Sequence, residues 1–166
     1  MKVLIPVDAS DAALAPVQYI TSLSRSGTQV EALVLNVQPR FHRHLAQFTS
    51  RPARDAFRAE RSASAMARAI EALSLARIPF RALSDVGRPA ETIAAIAERE
   101  QVDEIMIGTG RHPAWLRWVN PSIAQGVTAL TDIPVTVFAR GHAGVLERFA
   151  FPAGVAGLAV LLIAGD

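Results

Sequence analysis

The chain has 166 residues, of which 51% are hydrophobic, so its length and composition fit one domain with a sizeable core. Its formal net charge is only +2 at pH 7, and bulk electrostatics therefore give no reason to expect nucleic acid as a partner. The absence of cysteine excludes disulfides, thiolate metal sites and a cysteine nucleophile, and it suits a cytoplasmic protein.

The first half of the chain alternates short apolar runs with helical patterns. Lys2–Val7 and Val30–Val37 each predict a strand that is buried on both faces, and the first of them lacks the features of a signal peptide. Ser10 or Asp11 can cap the helix that lies between them. Pro39–Arg54 is polar and basic, which predicts an irregular segment with Pro39 and Pro52 as breakers before a long helix.

The second half repeats this alternation. Pro79–Leu83, Glu104–Gly108 and Ile133–Phe138 predict the third, fourth and fifth strands. Asn120 and Pro121 are typical of a helix start, with asparagine as the N-cap and proline at the first helical position. Because strands alternate with helices and the strands are apolar throughout, the predicted fold class is α/β. An open five-stranded parallel sheet is covered by helices on both faces.

The predicted domain covers residues 1–140, and residues 141–166 form a hydrophobic C-terminal extension. Phe149–Gly165 carries no charge, so we expect it to be buried. It packs on its own domain or across a dimer, or it enters a membrane with Arg140 and Arg148 on the cytoplasmic side. Packing is the favoured alternative because the stretch is short for a membrane span and is interrupted by proline and glycine.

Three residues end central strands and are expected at one edge of the sheet. Asp8 follows the first strand, Val37 ends the second and Gly108 ends the fourth. Ligands of such sheets bind beyond the carboxyl ends of the strands. Asp8 either accepts hydrogen bonds from a ribose or base, or it merely starts a turn or caps the helix beside Asp11. The loop after Gly108 leads to the helix at Asn120, whose N-terminus and Ser122 hydroxyl suit an anion.

Four blocks of the sequence resemble successive blocks of universal stress protein domains. They are VLIPVDASDAA, DVGRPAETI, VDEIMIGTG and PSIAQGVTALTDIPVTVF, and together the resemblance covers about Met1–Arg140. The resemblance implies a Rossmann-like fold of the adenine nucleotide alpha-hydrolase type, which is usually dimeric. One branch of the family binds ATP, and another does not.

The resemblance also implies a nucleotide site, which this sequence only partly preserves. Its residues are Asp8, Val37, Gly108, Arg111 and Ser122. ATP-binding members have glycines at the positions of Gly108, Arg111 and Pro121 in this chain. Proline has no backbone N–H, so Pro121 cannot donate one to a phosphate. The guanidinium of Arg111 can instead bind a phosphate directly. We therefore expect a weakened site for ATP with Mg²⁺, and the loss of the nucleotide is the alternative.

No catalytic residue and no metal site are predicted. The sequence lacks the Walker lysine motif, the G-x-S-x-G elbow and the H-E-x-x-H helix. His42 and His44 have no acidic residue nearby in the sequence, and they indicate a solvated loop. The expected role is a binding module in signalling or stress adaptation, with at most slow ATP hydrolysis.

The expected partner is a second copy of the chain. A homodimer is predicted through the last strand, Val135–Phe138, because an edge strand offers unpaired backbone groups. The alternative function is an interaction protein without a nucleotide, which acts through its apolar extension or through a basic stretch. The arginines of that stretch are Arg40, Arg43, Arg51, Arg54, Arg58 and Arg61. The sequence does not identify a protein partner.

Overall fold

The computed structural model describes residues 1–39, 50–109, 123–139, 145–149 and 160–162. Within these ranges, seven strands form one sheet. They are β1 (Lys2–Pro6), β2 (Glu31–Gln38), β3 (Phe80–Val86), β4 (Glu104–Thr109), β5 (Val135–Ala139), β6 (Val145–Phe149) and β7 (Val160–Leu162). The strand order is β3-β2-β1-β4-β5-β6-β7. The five strands from β3 to β5 pair in parallel, as predicted, whereas β6 and β7 are antiparallel additions.

Helices cover both faces of the parallel sheet. They are α1 (Leu14–Arg25), α2 (Arg51–Leu75), α3 (Pro89–Arg99) and α4 (Ile123–Thr128), and a 3-10 turn over Asp11–Ala13 precedes α1. One buried cluster joins the sheet to α1 and α2, and the other joins it to α3 and α4. In β1, Val3 and Ile5 belong to the first cluster and Leu4 to the second. The strand is therefore apolar at every central position because both of its faces are buried.

The long helix α2 begins earlier than the sequence suggested. Its N-cap is Ser50, whose hydroxyl accepts the backbone N–H of Ala53 at 3.4 Å. Pro52 lies in the first turn, where its missing N–H would have had no partner within the helix. The interpretation of Pro52 as a breaker is therefore wrong, and the arginines from Arg51 onward lie on a helix. The rest of the basic stretch, residues 40–49, lies outside the described residues.

The last parallel strand, β5, is not at an edge of the sheet. Val135–Phe138 pairs with β4 on one side and with β6 on the other. The premise of the dimer prediction is therefore corrected, because the backbone groups on the outer side of β5 are already paired within the chain. The homodimer through this strand stays a prediction, and it now requires that β6 be displaced from β5.

The apolar extension contributes strands wherever it is described. Phe149 belongs to β6 and Val160–Leu162 forms β7, which pairs with β6. At these residues the backbone of the extension pairs with the sheet of its own domain. In the described part of the chain, no helix has both the length and the apolar character needed to cross a membrane.

An ion cluster at the amino end of the sheet ties three elements together. The carboxylate of Glu100, just after α3, lies 3.0 Å from the guanidinium of Arg81 in β3 and 3.6 Å from the ammonium of Lys2 in β1. Burial raises the pKa of Glu100, but the charge and hydrogen bond of Arg81, with the charges of Lys2 and Arg99, leave that pKa lowered overall.

We expect the Glu100→Gln variant to melt below the wild type at neutral pH, by an amount that shrinks on acidification. A carboxyl with a lowered folded-state pKa stabilises the fold above its unfolded pKa of about 4.3, and this stabilisation disappears as pH falls through the folded pKa. Melting temperatures across this range check the prediction, with the exposed Glu98→Gln as the control. An equal difference in melting temperature between Glu100→Gln and the wild type at neutral and acidic pH would contradict the prediction.

Candidate functional site

The strand order places one candidate site between β1 and β4. The chain leaves β1 towards β2 and β3 and then returns to the other side of β1 through β4 and β5. The carboxyl ends of β1 and β4 therefore flank the point where the strand order reverses, which is where open α/β sheets bind ligands. Asp8 follows β1 and Gly108 lies at the end of β4, so these two predicted residues flank this point.

The carboxylate of Asp8 organises the turn after β1. It is exposed, and its Oδ1 accepts the backbone N–H of Ser10 at 2.9 Å. The interpretation of Asp8 as the start of a turn is thus confirmed. An ionised carboxylate has about four lone-pair positions, so this hydrogen bond leaves Asp8 able to accept further bonds from a ligand hydroxyl or amine.

Gly108 allows the end of β4 to touch the backbone of the 3-10 turn. A Cβ added to Gly108 would lie 1.9 Å from the carbonyl oxygen of Ala12, 2.6 Å from its carbonyl carbon and 3.1 Å from the Cα of Ala13. No side chain fits there unless the turn moves. Gly108 therefore has a packing function that does not depend on any phosphate.

A buried amide holds the chain in place immediately before Asp8. The Asn36 side chain in β2 is 6% exposed, and its Nδ2 donates to the carbonyl oxygen of Val7 at 2.8 Å. The backbone N–H of Val7 donates to the carbonyl oxygen of Leu35 at the same distance. Both polar groups of Val7 are therefore bonded to β2. Sequence reasoning missed Asn36, although a polar residue inside the apolar run EALVLNVQ was the available signal.

A cavity of about 190 Å³ opens beside Asp8, between the turn and α2. Its polar lining consists of Asp8, Ser10, Ser64 and Arg68, and the side chains around them are apolar. The guanidinium of Arg68 forms an ion pair with the carboxylate of Asp11, which joins α2 to the 3-10 turn. The sequence analysis did not identify Arg68 as a site residue, because nothing local shows which distant turn a helix will face.

The other predicted site residues are not brought together with Asp8 by the described structure. Val37, the penultimate residue of β2, packs against the cluster on the α3 and α4 face and does not line the cavity. Arg111 and Ser122 lie outside the described residues, as do His42 and His44. The expectation that the five nucleotide-site residues share one crevice therefore stays a prediction.

Comparisons with known proteins give a family and a fold. A model of the universal stress protein family matches residues 1–139. The solved structure of the hypothetical protein MJ0577 has a TM-score of 0.68 and 23% sequence identity, with 86% of this chain and 97% of that chain covered. No curated protein matches the sequence.

Two further structures of similar fold contain nucleotides. A universal stress protein family protein from Arabidopsis thaliana with AMP bound has a TM-score of 0.62 and 16% identity, covering 85% of this chain and 92% of that one. A universal stress protein in complex with cAMP has a TM-score of 0.60 and 15% identity, covering 82% of this chain and 95% of that one. At these identities the likeness shows the fold.

Proposed function

Because the chain belongs to the universal stress protein family, we propose that it is a cytoplasmic binding module that holds an adenine nucleotide between the carboxyl ends of β1 and β4. The cavity between the turn after β1 and α2 is the observation that carries this proposal, because Asp8, which lines it, follows the strand at which the strand order reverses. The AMP and cAMP complexes of proteins with this fold support it. ATP with Mg²⁺ is the proposed ligand, and the occupancy of the site is the signal in a stress response.

The charges around the cavity favour the nucleoside part of the ligand over its phosphates. Asp8 contributes a negative charge, and the positive charge of Arg68 is already paired with Asp11. A phosphate at this position would meet two carboxylates and one guanidinium, whereas ribose hydroxyls can donate to Asp8. The volume of about 190 Å³ is also below the roughly 300–1,000 Å³ of ordinary ligand pockets, so the cavity accommodates one part of a nucleotide.

The phosphates would then extend towards the loop that follows β4. In this arrangement Arg111 and Ser122 are the proposed phosphate contacts. We expect the Arg111→Gly variant to bind ATP more weakly, because it loses a charge-assisted hydrogen bond worth about 1.5–3 kcal/mol. An ATP titration monitored by calorimetry measures the change. Tighter binding would identify the arginine as an obstruction and the site as one that has lapsed.

A second candidate function is an interaction module without a nucleotide. It is favoured by the finding that Asp8 and Gly108 both have local structural functions, in the turn and in its packing against β4. Its surface would include the first turns of α2, where Arg51 is exposed and the side chain of Phe57 is 47% exposed.

A thermal-shift titration of the full chain with ATP and Mg²⁺ separates these two functions. A ligand that binds only the folded state raises the free energy of unfolding by about 2.7 kcal/mol at a concentration 100-fold above its Kd. We expect such an upward shift, and we expect Asp8→Ala to abolish it. A melting temperature that does not change up to millimolar ATP would favour the interaction module.

Asp85→Ala is the matched control for this titration. Asp85 lies near the carboxyl end of β3, is exposed, and also accepts a backbone N–H, from Val86 at 2.6 Å. It does not line the cavity beside Asp8. Its replacement should leave the ATP-dependent shift unchanged, even if both variants lower the melting temperature without ligand.

A further inference from the structure

The outer side of β5 is covered by a strand from outside the family-matched region. The family match ends at residue 139, and β6 begins at Val145. Four residues of β5 have direct antiparallel partners in β6, from Val135 opposite Phe149 to Phe138 opposite Leu146. The C-terminal extension therefore changes β5 from an edge strand into an interior strand.

Without β6, this edge would be a strong association site. Val135 and Thr136 are 1% and 2% exposed, and Phe138 is 8% exposed, so β5 is buried on both faces. A strand of this kind with unpaired N–H and C=O groups is a template for another chain. By contrast β3, at the other end of the sheet, carries exposed Arg81 and Asp85, and charged residues protect an edge from pairing.

We propose that the extension is an internal cap on the association edge of β5, and that a second copy of the chain pairs there only when β6 is displaced. The second copy is the fitting occupant because β5 accepts an antiparallel neighbour on this side. Two β5 strands related by a twofold axis perpendicular to them are antiparallel to each other, and twofold dimers are the commonest closed assemblies. The extension thus controls self-association in the intact chain.

Disulfide trapping in the full chain tests the cap directly, because the wild type contains no cysteine. Val137 and Glu147 are directly opposite each other in the β5–β6 register. Opposite residues of antiparallel strands have Cα atoms about 4.5–5.5 Å apart, within the range of a disulfide. The variant with Val137→Cys and Glu147→Cys should form an intrachain disulfide and migrate as a monomer on a non-reducing gel.

The matched control shifts one cysteine by a single residue. Val137→Cys combined with Arg148→Cys places the two thiols on opposite faces of the sheet, since successive side chains of a strand alternate. This pair should remain reduced. A disulfide between two chains in the Glu147 variant would overturn the proposal, because β6 would then be exchanged between copies. The absence of any disulfide in that variant would overturn it as well.

Displacing β6 from β5 tests whether a second copy of the chain pairs with β5. Successive N–H groups of a strand point to opposite sides, so Leu146→Pro with Glu147→Pro removes one donor towards β5 and one towards β7. We expect the mass of this full-chain variant in sedimentation experiments to be twice that of the wild type at tens of micromolar. Leu146→Ala with Glu147→Ala keeps both N–H groups and should sediment as the wild type does.

An unchanged mass of the folded double-proline variant would refute the second copy as the occupant. Circular dichroism establishes whether the variant is folded. If the double-proline variant does not fold, the single variants Leu146→Pro and Glu147→Pro are measured in the same way, because one of the two removes a donor towards β5.

Discussion

The Gly108→Ala variant is expected to lose about 3 kcal/mol or more of its free energy of unfolding, the upper range for overpacking a tight contact. The added methyl group would lie 1.9 Å from the carbonyl oxygen of Ala12, far inside contact distance. Because the clash is with backbone, no side-chain rotation relieves it, and β4 or the turn must move. For a chain of this length the melting temperature should fall by about 10 °C.

Gly87→Ala is the matched control for this substitution. Its added Cβ would lie 2.3 Å from the Thr92 hydroxyl, which is the end of a side chain that can rotate away. We expect a loss below about 1 kcal/mol. A Gly108→Ala variant that melts close to the wild type would show that the turn adapts easily. The glycine at position 108 would then have to be explained by close approach of the backbone to a ligand instead of by packing.

Much of the fold was predictable because the relevant signals are local. Apolar runs of strand length, separated by helical patterns, identify a parallel sheet that is buried on both faces. The ends of the strands were less predictable, because they depend on hydrogen bonding with the neighbouring strand. β3 continues to Val86, beyond the predicted end at Leu83, since it stays paired with β2 through Gln38 opposite Val86. The polar residues Ser84 and Asp85 gave no signal of that pairing.

The candidate site was predictable where the chain topology alone determines position. Asp8 and Gly108 follow from the rule that ligands bind at the carboxyl ends of strands. Arg68 and Asn36 were not identified, because their contacts are with residues 57 and 29 positions away along the chain. Such contacts depend on how a helix or strand is oriented in three dimensions, which the pattern of one segment does not specify.

The C-terminal extension also shows that the pattern of one segment does not specify its long-range contacts. Its apolar composition predicts burial, and its described residues are paired in the sheet. Composition does not select the surface that an apolar stretch will cover, nor whether it does so as a helix or as a strand. That choice depends on β5, which offers a row of backbone groups that only another strand can pair with. The interpretation of Val135–Phe138 as an edge failed for this reason.

The Asn36→Asp variant is expected to lose about 3 kcal/mol of its free energy of unfolding at neutral pH. The side chain is buried, and its Nδ2 donates to the carbonyl oxygen of Val7. An ionised carboxylate cannot donate this bond and would instead repel the carbonyl oxygen. The chain before Asp8 would lose its fixed position, so any ATP-dependent thermal shift should shrink as well.

The loss should be smaller in acid, which separates charge burial from a simple packing defect. Burial raises the pKa of the introduced carboxyl above its unfolded value of about 3.9, so the native state binds the proton more tightly. The variant therefore regains stability relative to the wild type as pH falls through the raised pKa, and a protonated carboxyl can again donate to Val7. Urea unfolding of both proteins across this range measures the difference. Gln18→Glu, at an exposed position of α1, is the control and should lose less than about 1 kcal/mol at any of these pH values. A pH-independent loss at Asn36 would mean that the introduced carboxylate reaches solvent, and that the amide does not hold the turn in place.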